Sequence, residues 1–147
     1  MARSVRNAEY FYIRIEALPE KAYEFLSQMA SAEVNLLAFS AVPFGPNHTE
    51  LTIFPDRSDN FIRLAAKLGY VVLGPQHAFL IQGDDNLGAL ADIQRMLLEA
   101  DVDIYASSGV TDGSGRFGYV IYFSEEDHDR AARALGAATV ASPARPQ

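Results

Sequence analysis

Three glycines at the spacing G-x-G-x-x-G, Gly113, Gly115 and Gly118 in "TDGSGRFGYV", are the first residues of this 147-residue chain whose pattern suggests a chemistry. Such a run cradles a pyrophosphate when a strand feeds it and a helix leaves it, because the helix start offers free N–H groups. No helix pattern follows Gly118. The run "YVIYF" reads as a strand, as does "VDIYAS" before the glycines, so the stretch predicts a hairpin, with Asp112-Gly113 and Ser114-Gly115 supplying positive φ. Other reactive side chains are dispersed. His48, His77 and His128 lack the i to i+4 pairing or clustering of a metal site, so no metal is expected. In "SEEDHDR", Ser124 and Asp127 read as a capping pair at a helix N-terminus.

Composition excludes several function classes. With 19 acidic against 12 basic residues the formal charge is -7, which opposes binding to nucleic acid or to an anionic membrane. The absence of cysteine removes disulfides, thiolate metal sites and cysteine nucleophiles. No apolar run reaches the length of a membrane span, and "MARSVRNAEY" does not read as a signal peptide, so a cytoplasmic protein is expected. A hydrophobic fraction of 49% suffices for a buried core.

The elements that would position any site come from an internal repeat. At a shift of 68, Val34, Leu36, Ala38 and Val42 fall on Val102, Ile104, Ala106 and Val110, and Ala22, Phe25 and Met29 fall on Leu90, Ile93 and Leu97, spaced as one helix stripe. In the first half "EYFYIRIE" alternates as a strand, "PEKAYEFLSQMAS" is a helix opened by proline, "VNLLAFSAV" and "ELTIFP" form a hairpin, "DNFIRLAAKLG" is a second helix, and "YVVLG" a closing strand. The second half gives "HAFLIQ", "LGALADIQRMLLEA", "VDIYASSG", "GYVIYF", "EEDHDRAARALG" and "ATVA" in the same order. The order βαββαβ, twice, predicts an α+β fold: two tandem ferredoxin-like repeats, over residues 8–74 and 75–140, each an antiparallel sheet with its helices on one face. Residues 141–147, "SPARPQ" preceded by Ala141, read as a disordered tail. With Phe11, Ile13, Val34, Leu36 and Ile104 turned toward the helices, alternation sends Tyr10, Tyr12, Leu37, Phe39 and Tyr105 to the opposite sheet face, where an apolar surface would be packed over by another repeat or chain.

The stretch "GDDNLGALADIQRMLLEADVDI", residues 83–104, resembles the ACT domain, whose signature is an acidic residue and usually Pro-Gly after the first strand, then Leu, a helix, and Asn-Ile at the start of the second strand. Asp84 or Asp85, Gly88, Leu90, Ile93, Leu97 and "VDI" match; Asn86-Leu87 stands where proline commonly precedes the glycine, and Asp103 stands for the usual Asn. The first repeat matches in pattern only: its loop, "EALPEKAYEFL", has no glycine, although Asn35 keeps the family's Asn. The resemblance implies a regulatory protein without a catalytic role or cofactor, a homodimer with possible protein partners, and an amino acid or related metabolite held at an interface of ACT units by Asp84, Asp85, Asn86, Leu87, Gly88, Asp103, Ile104 and Asn35.

The residues allow that chemistry. An amino acid is a zwitterion, and a helix beginning at Leu87 or Gly88 points unpaired N–H groups at a carboxylate, with Gly88 permitting close approach. Asp103, or else Asp84 or Asp85, would accept the ammonium. The plainer reading has Asp84, Asp85 and Asn86 capping the helix. Two other functions are weighed: an interaction module without ligand, and an acylphosphatase-like enzyme, which would need a basic phosphate cradle where this chain is acidic or neutral.

Overall fold

A computed structural model describes residues 3–137, which divide into two compact units: Glu9–Gln76, and residues 3–8 together with 77–137. The fold is α+β, with antiparallel strand pairs and four α-helices among the described residues.

The unit Glu9–Gln76 takes its first strand from β1 (Ser4–Glu16), then α1 (Pro19–Ser31), β2 (Leu36–Phe44), β3 (His48–Pro55) and α2 (Ser58–Leu68). Here β3 lies between β2 and β1, so that Ile53 is opposite both Phe39 and Phe11. Alternation turns Phe11, Ile13 and Ile15 to one face, where Phe25 and Met29 of α1 and Phe61 and Ala65 of α2, each pair four residues apart, complete the core. Ala22 packs against it, as the predicted stripe requires. Gly69, in the left-handed region at φ 84°, ends α2.

The second unit uses β4 (Leu73–Asp84), α3 (Ala89–Glu99), β5 (Ile104–Thr111), β6 (Arg116–Phe123), a 3-10 turn over Glu125–Asp127 and α4 (His128–Leu135). In it β6 pairs with β4 on one side and β5 on the other. Its core gathers Phe79, Ile81, Ile93, Leu97, Ile121 and Leu135 with their neighbours. Gly113 (φ 80°) and Gly115 (φ 93°) turn the β5–β6 hairpin, while Gly118 is strand, so the G-x-G-x-x-G run is a hairpin as predicted.

Three features differ from the sequence reading. First, the separate strands expected at "YVVLG" and "HAFLIQ" are one strand, β4, starting at Leu73. Gly74 makes this possible: at φ 127°, a Cβ there would stand 2.9 Å from the Tyr10 carbonyl oxygen, so only glycine lets the chain pass β1 that closely. Second, β1 begins at Ser4, and in the second unit the place beside β4 is taken by Ser4–Ala8, with Val5 against the core and Arg3 beside Gly83. The expected strand "ATVA" and the tail lie outside the described residues. Third, a bulge between Leu36 and Ala38 breaks the alternation of β2, so Phe39 joins Leu36 on the helix side, its ring stacked 6.2 Å from Phe25. Tyr10 and Tyr12 do share the opposite face, where the Tyr10 ring meets Tyr12 at 5.4 Å and Phe54 at 5.1 Å. Tyr105 is exposed beside Tyr122. No helix among the described residues is long and apolar enough to cross a membrane.

Candidate functional site

The loop joining β4 to α3 is built on one tight turn. The Ala89 N–H donates to the Asn86 carbonyl at 3.0 Å, and Gly88 between them has φ 82° and ψ 5°. These angles are those of the third position of a type II turn, which demands positive φ there and favours proline immediately before it. Leu87 occupies that preceding position and its side chain is fully exposed. The helix therefore starts one or two residues later than expected, at Ala89, with the Asp92 N–H donating to the Gly88 carbonyl at 3.0 Å. No side chain caps it, so Asp84, Asp85 and Asn86 are not the capping residues of the plainer reading. The first-turn N–H groups of Leu90 and Ala91 lie outside this pattern of backbone bonds and face the loop end of the helix.

The glycine hairpin anchors the loop. The Asp85 N–H donates to the Gly115 carbonyl at 2.8 Å, and Arg116 pairs with Asp84 at 3.1 Å, both side chains about one third exposed. The hairpin is itself braced by Asp112, which accepts the Ser114 hydroxyl at 2.7 Å and the Ser114 N–H at 2.8 Å; the Ser114 hydroxyl, above all, holds the Asp112 carboxyl below its ordinary value.

Two cavities border this loop. The larger, about 560 Å³, runs between the start of α3 and the end of β5 and is lined by Asp85, Leu87, Leu90, Gly109, Val110 and Phe117 among others. The smaller, about 180 Å³, lies toward Arg3, Asp84 and Asp92. Gly109 sets the width of the larger: a Cβ there would come to 3.1 Å from the Leu90 side chain and 3.2 Å from the Tyr119 ring. Sequence reasoning had placed Leu90 in the helix core with Ile93 and Leu97. Those two are buried, whereas Leu90 stands at the groove, partly exposed. The helical stripe concealed it, and neither Gly109 nor Val110 carries a local signal for a groove.

Asp84, Asp85, Asn86, Leu87 and Gly88 come together at this loop; the other expected site residues do not join them. Strand register puts Thr111 opposite Phe117, near the loop, and Ile104 opposite Phe123, at the other end of β5. Asp103 is thus roughly 20 Å away along the strand within this unit and cannot complete an ammonium site there. Its backbone N–H donates to the buried Asp127 carboxylate at 2.9 Å, and Ile104 packs against the core. Asn35, in the other unit, uses its carbonyl to accept the Asp56 N–H at 2.9 Å. Ser124 makes no side-chain cap; Asp127 instead receives Asp103 and Arg130. The Asp103 N–H, then the Arg130 guanidinium, hold the Asp127 carboxyl below its ordinary value against the opposing effect of burial. Two of the three dispersed histidines do meet: His77 and His128 have ring centroids 6.0 Å apart, and His77 Nδ1 is 3.2 Å from Glu125. Among the described residues no group of three or more potential ligands stands ready for a metal ion.

No protein-family model matches the sequence, and no curated protein matches it. Solved structures do. The chain is similar to protein BT0572 from Bacteroides thetaiotaomicron, at a TM-score of 0.78 and 18% identity over 90% of this chain and 88% of that one. It is similar to the aspartokinase alpha and beta subunits, at 0.63 and 18% over 92% and 95%. It is also similar to the ligand-free regulatory subunit of aspartate kinase from Thermus thermophilus, at 0.63 and 14% over 95% and 97%. These likenesses support an ACT-type fold.

Proposed function

We propose that the chain is a non-catalytic regulatory protein of ACT type that binds an amino acid or a related zwitterionic metabolite at the loop Asp84–Gly88, and signals the bound state by changed packing of its units or of a homodimer. The observation that carries this reading is the Asn86–Ala89 turn, which opens α3 without a side-chain cap beside a groove of about 560 Å³. A ligand carboxylate fits the first-turn N–H groups, and Asp85 supplies an anion for the ammonium. The fold shared with aspartate kinase regulatory subunits supports the regulatory role. On this reading residues 8–74 and 75–140 are duplicated ACT repeats, of which the second keeps the site.

The test is thermal unfolding of the full chain against the common amino acids. A ligand present at about 100 times its dissociation constant stabilises the native state by roughly 2.7 kcal/mol. A midpoint raised by an amino acid, and not raised in Gly88→Val, supports the reading; a panel that leaves the wild-type midpoint unmoved rejects it. A second reading, a ligand-free interaction module, draws on β5: this strand ends the sheet, bears no charged residue from Ile104 to Thr111, and is exposed along nearly its whole length, features that leave an edge open to another chain. Self-association that no amino acid alters would favour it.

A further inference from the structure

The two cavities beside the loop differ in the chemistry of their walls. The smaller has Arg3, Asp84 and Asp92. Among the residues lining the larger, Asp85 alone carries a charge, and Leu87 and Leu90 at the start of α3, with Val110 and Phe117, supply large apolar side chains. No cationic side chain is among the described residues lining it, and Arg116 pairs with Asp84. An acidic ligand side chain laid into this groove would meet Asp85 without a counter-charge. A basic one would bring its distal ammonium over Leu90 and Val110, losing hydration for no partner. A hydrocarbon side chain would cover apolar surface that is otherwise wet: Val110 is 72% exposed and Leu87 is fully so. Gly109 keeps the space open, because a side chain there would press on Leu90.

We infer that the groove between α3 and the end of β5 selects an α-amino acid with an apolar side chain, its ammonium at Asp85 and its hydrocarbon on Leu87, Leu90 and Val110. This rests on the proposed function and adds the class of ligand. The selectivity comes from one side-chain contact, so L-leucine or L-phenylalanine binds on the order of tenfold to a hundredfold more tightly than glycine, which shares the ammonium and carboxylate and lacks the rest.

Calorimetric titration of the full chain with L-leucine, L-phenylalanine, glycine, L-lysine and L-aspartate tests it, with Val110→Asp as the variant. Val110 is exposed on an outer strand, so the substitution leaves the core intact. The expected result is that at least one apolar amino acid binds most tightly, and that Val110→Asp removes its advantage over glycine while the unfolding midpoint holds. Glycine binding as tightly as both apolar amino acids, or lysine or aspartate binding more tightly, overturns the selectivity and leaves the amino-acid reading standing. Binding of none of the five overturns both.

Discussion

The two loops that lead from a unit's first strand into its first helix share one backbone pattern and differ in the residues that turn it. In the first unit the Leu18 N–H donates to the Glu16 carbonyl at 2.8 Å and the Lys21 N–H to the Leu18 carbonyl at 3.0 Å, and the turn runs through Pro19, which opens α1 with no N–H to offer, and Glu20. The second unit repeats these bonds at the shift of 68, from the Asn86 N–H to the Asp84 carbonyl and from the Ala89 N–H to the Asn86 carbonyl, both at 3.0 Å, but turns through Leu87 and a left-handed Gly88 at φ 82°, beside a groove. The sequence differs at a strand position too, with Ala41 in one unit where the shift of 68 puts Gly109, which borders the groove, in the other. The backbone closes both loops alike, and what distinguishes the second is its glycine turn and the groove beside it. On this account, only the second unit's loop is a ligand site.

The comparison breaks most completely at Gly88. Gly88→Val places a β-branched residue at φ 82°, where the space around the Cβ is open but the backbone conformation is not, so the turn reopens elsewhere. We expect loss of amino-acid binding by more than a hundredfold with a stability cost of about 1–2 kcal/mol, read by calorimetry and denaturant unfolding. Gly109→Ala comes next: it pushes Leu90 across the groove, and a loss of roughly tenfold in affinity, with about 1 kcal/mol in stability, is the expected result of the same pair of measurements. The fold around Asp127 gives a smaller, pH-dependent effect. Because its native carboxyl is held below the ordinary value, its contribution is present above about pH 4, the unfolded value, and is lost as pH falls through the native one. Asp127→Asn should therefore lower the midpoint at pH 7 and flatten the fall in midpoint below about pH 4, followed by circular dichroism. Smallest of all is Ala41→Gly in the first unit: with Ala41 exposed and no groove assigned to its loop, affinity should stay within about twofold in the titration that detects Gly109→Ala.

Most of the fold was legible because periodicity reports burial directly. Phe25 with Met29, and Ile93 with Leu97, are core at the predicted spacing. What failed was whatever depends on which strands meet. The segment Ser4–Ala8 has only Val5 against a core and Ala8 buried, too little for a pattern, and its place beside β4 is set by tertiary pairing. The bulges at Leu36–Ala38 and Ile104–Ala106 shift the parity of their strands, which alternation cannot foresee; hence Phe39 lies on the helix side. At the site, Gly88 was legible through turn chemistry, since few other residues hold φ 82°. Asp103 was misplaced because sequence proximity to a strand start does not tell which end of the sheet that start occupies; register does. Leu90 was misread because a helix stripe marks three positions as equivalent, and the first of them is at the helix end, where the core stops.

The central claim, that the second unit's loop and not the first's binds an amino acid, is tested most directly by an amide-resolved NMR titration of the full chain with a mixture of the common amino acids. The account predicts chemical-shift changes concentrated at Gly88, Leu90, Ala91 and Val110, with Ala17, Leu18 and Glu20 unmoved. Changes at Ala17 to Glu20 with the Gly88 region silent, or a spectrum unchanged throughout, would contradict it.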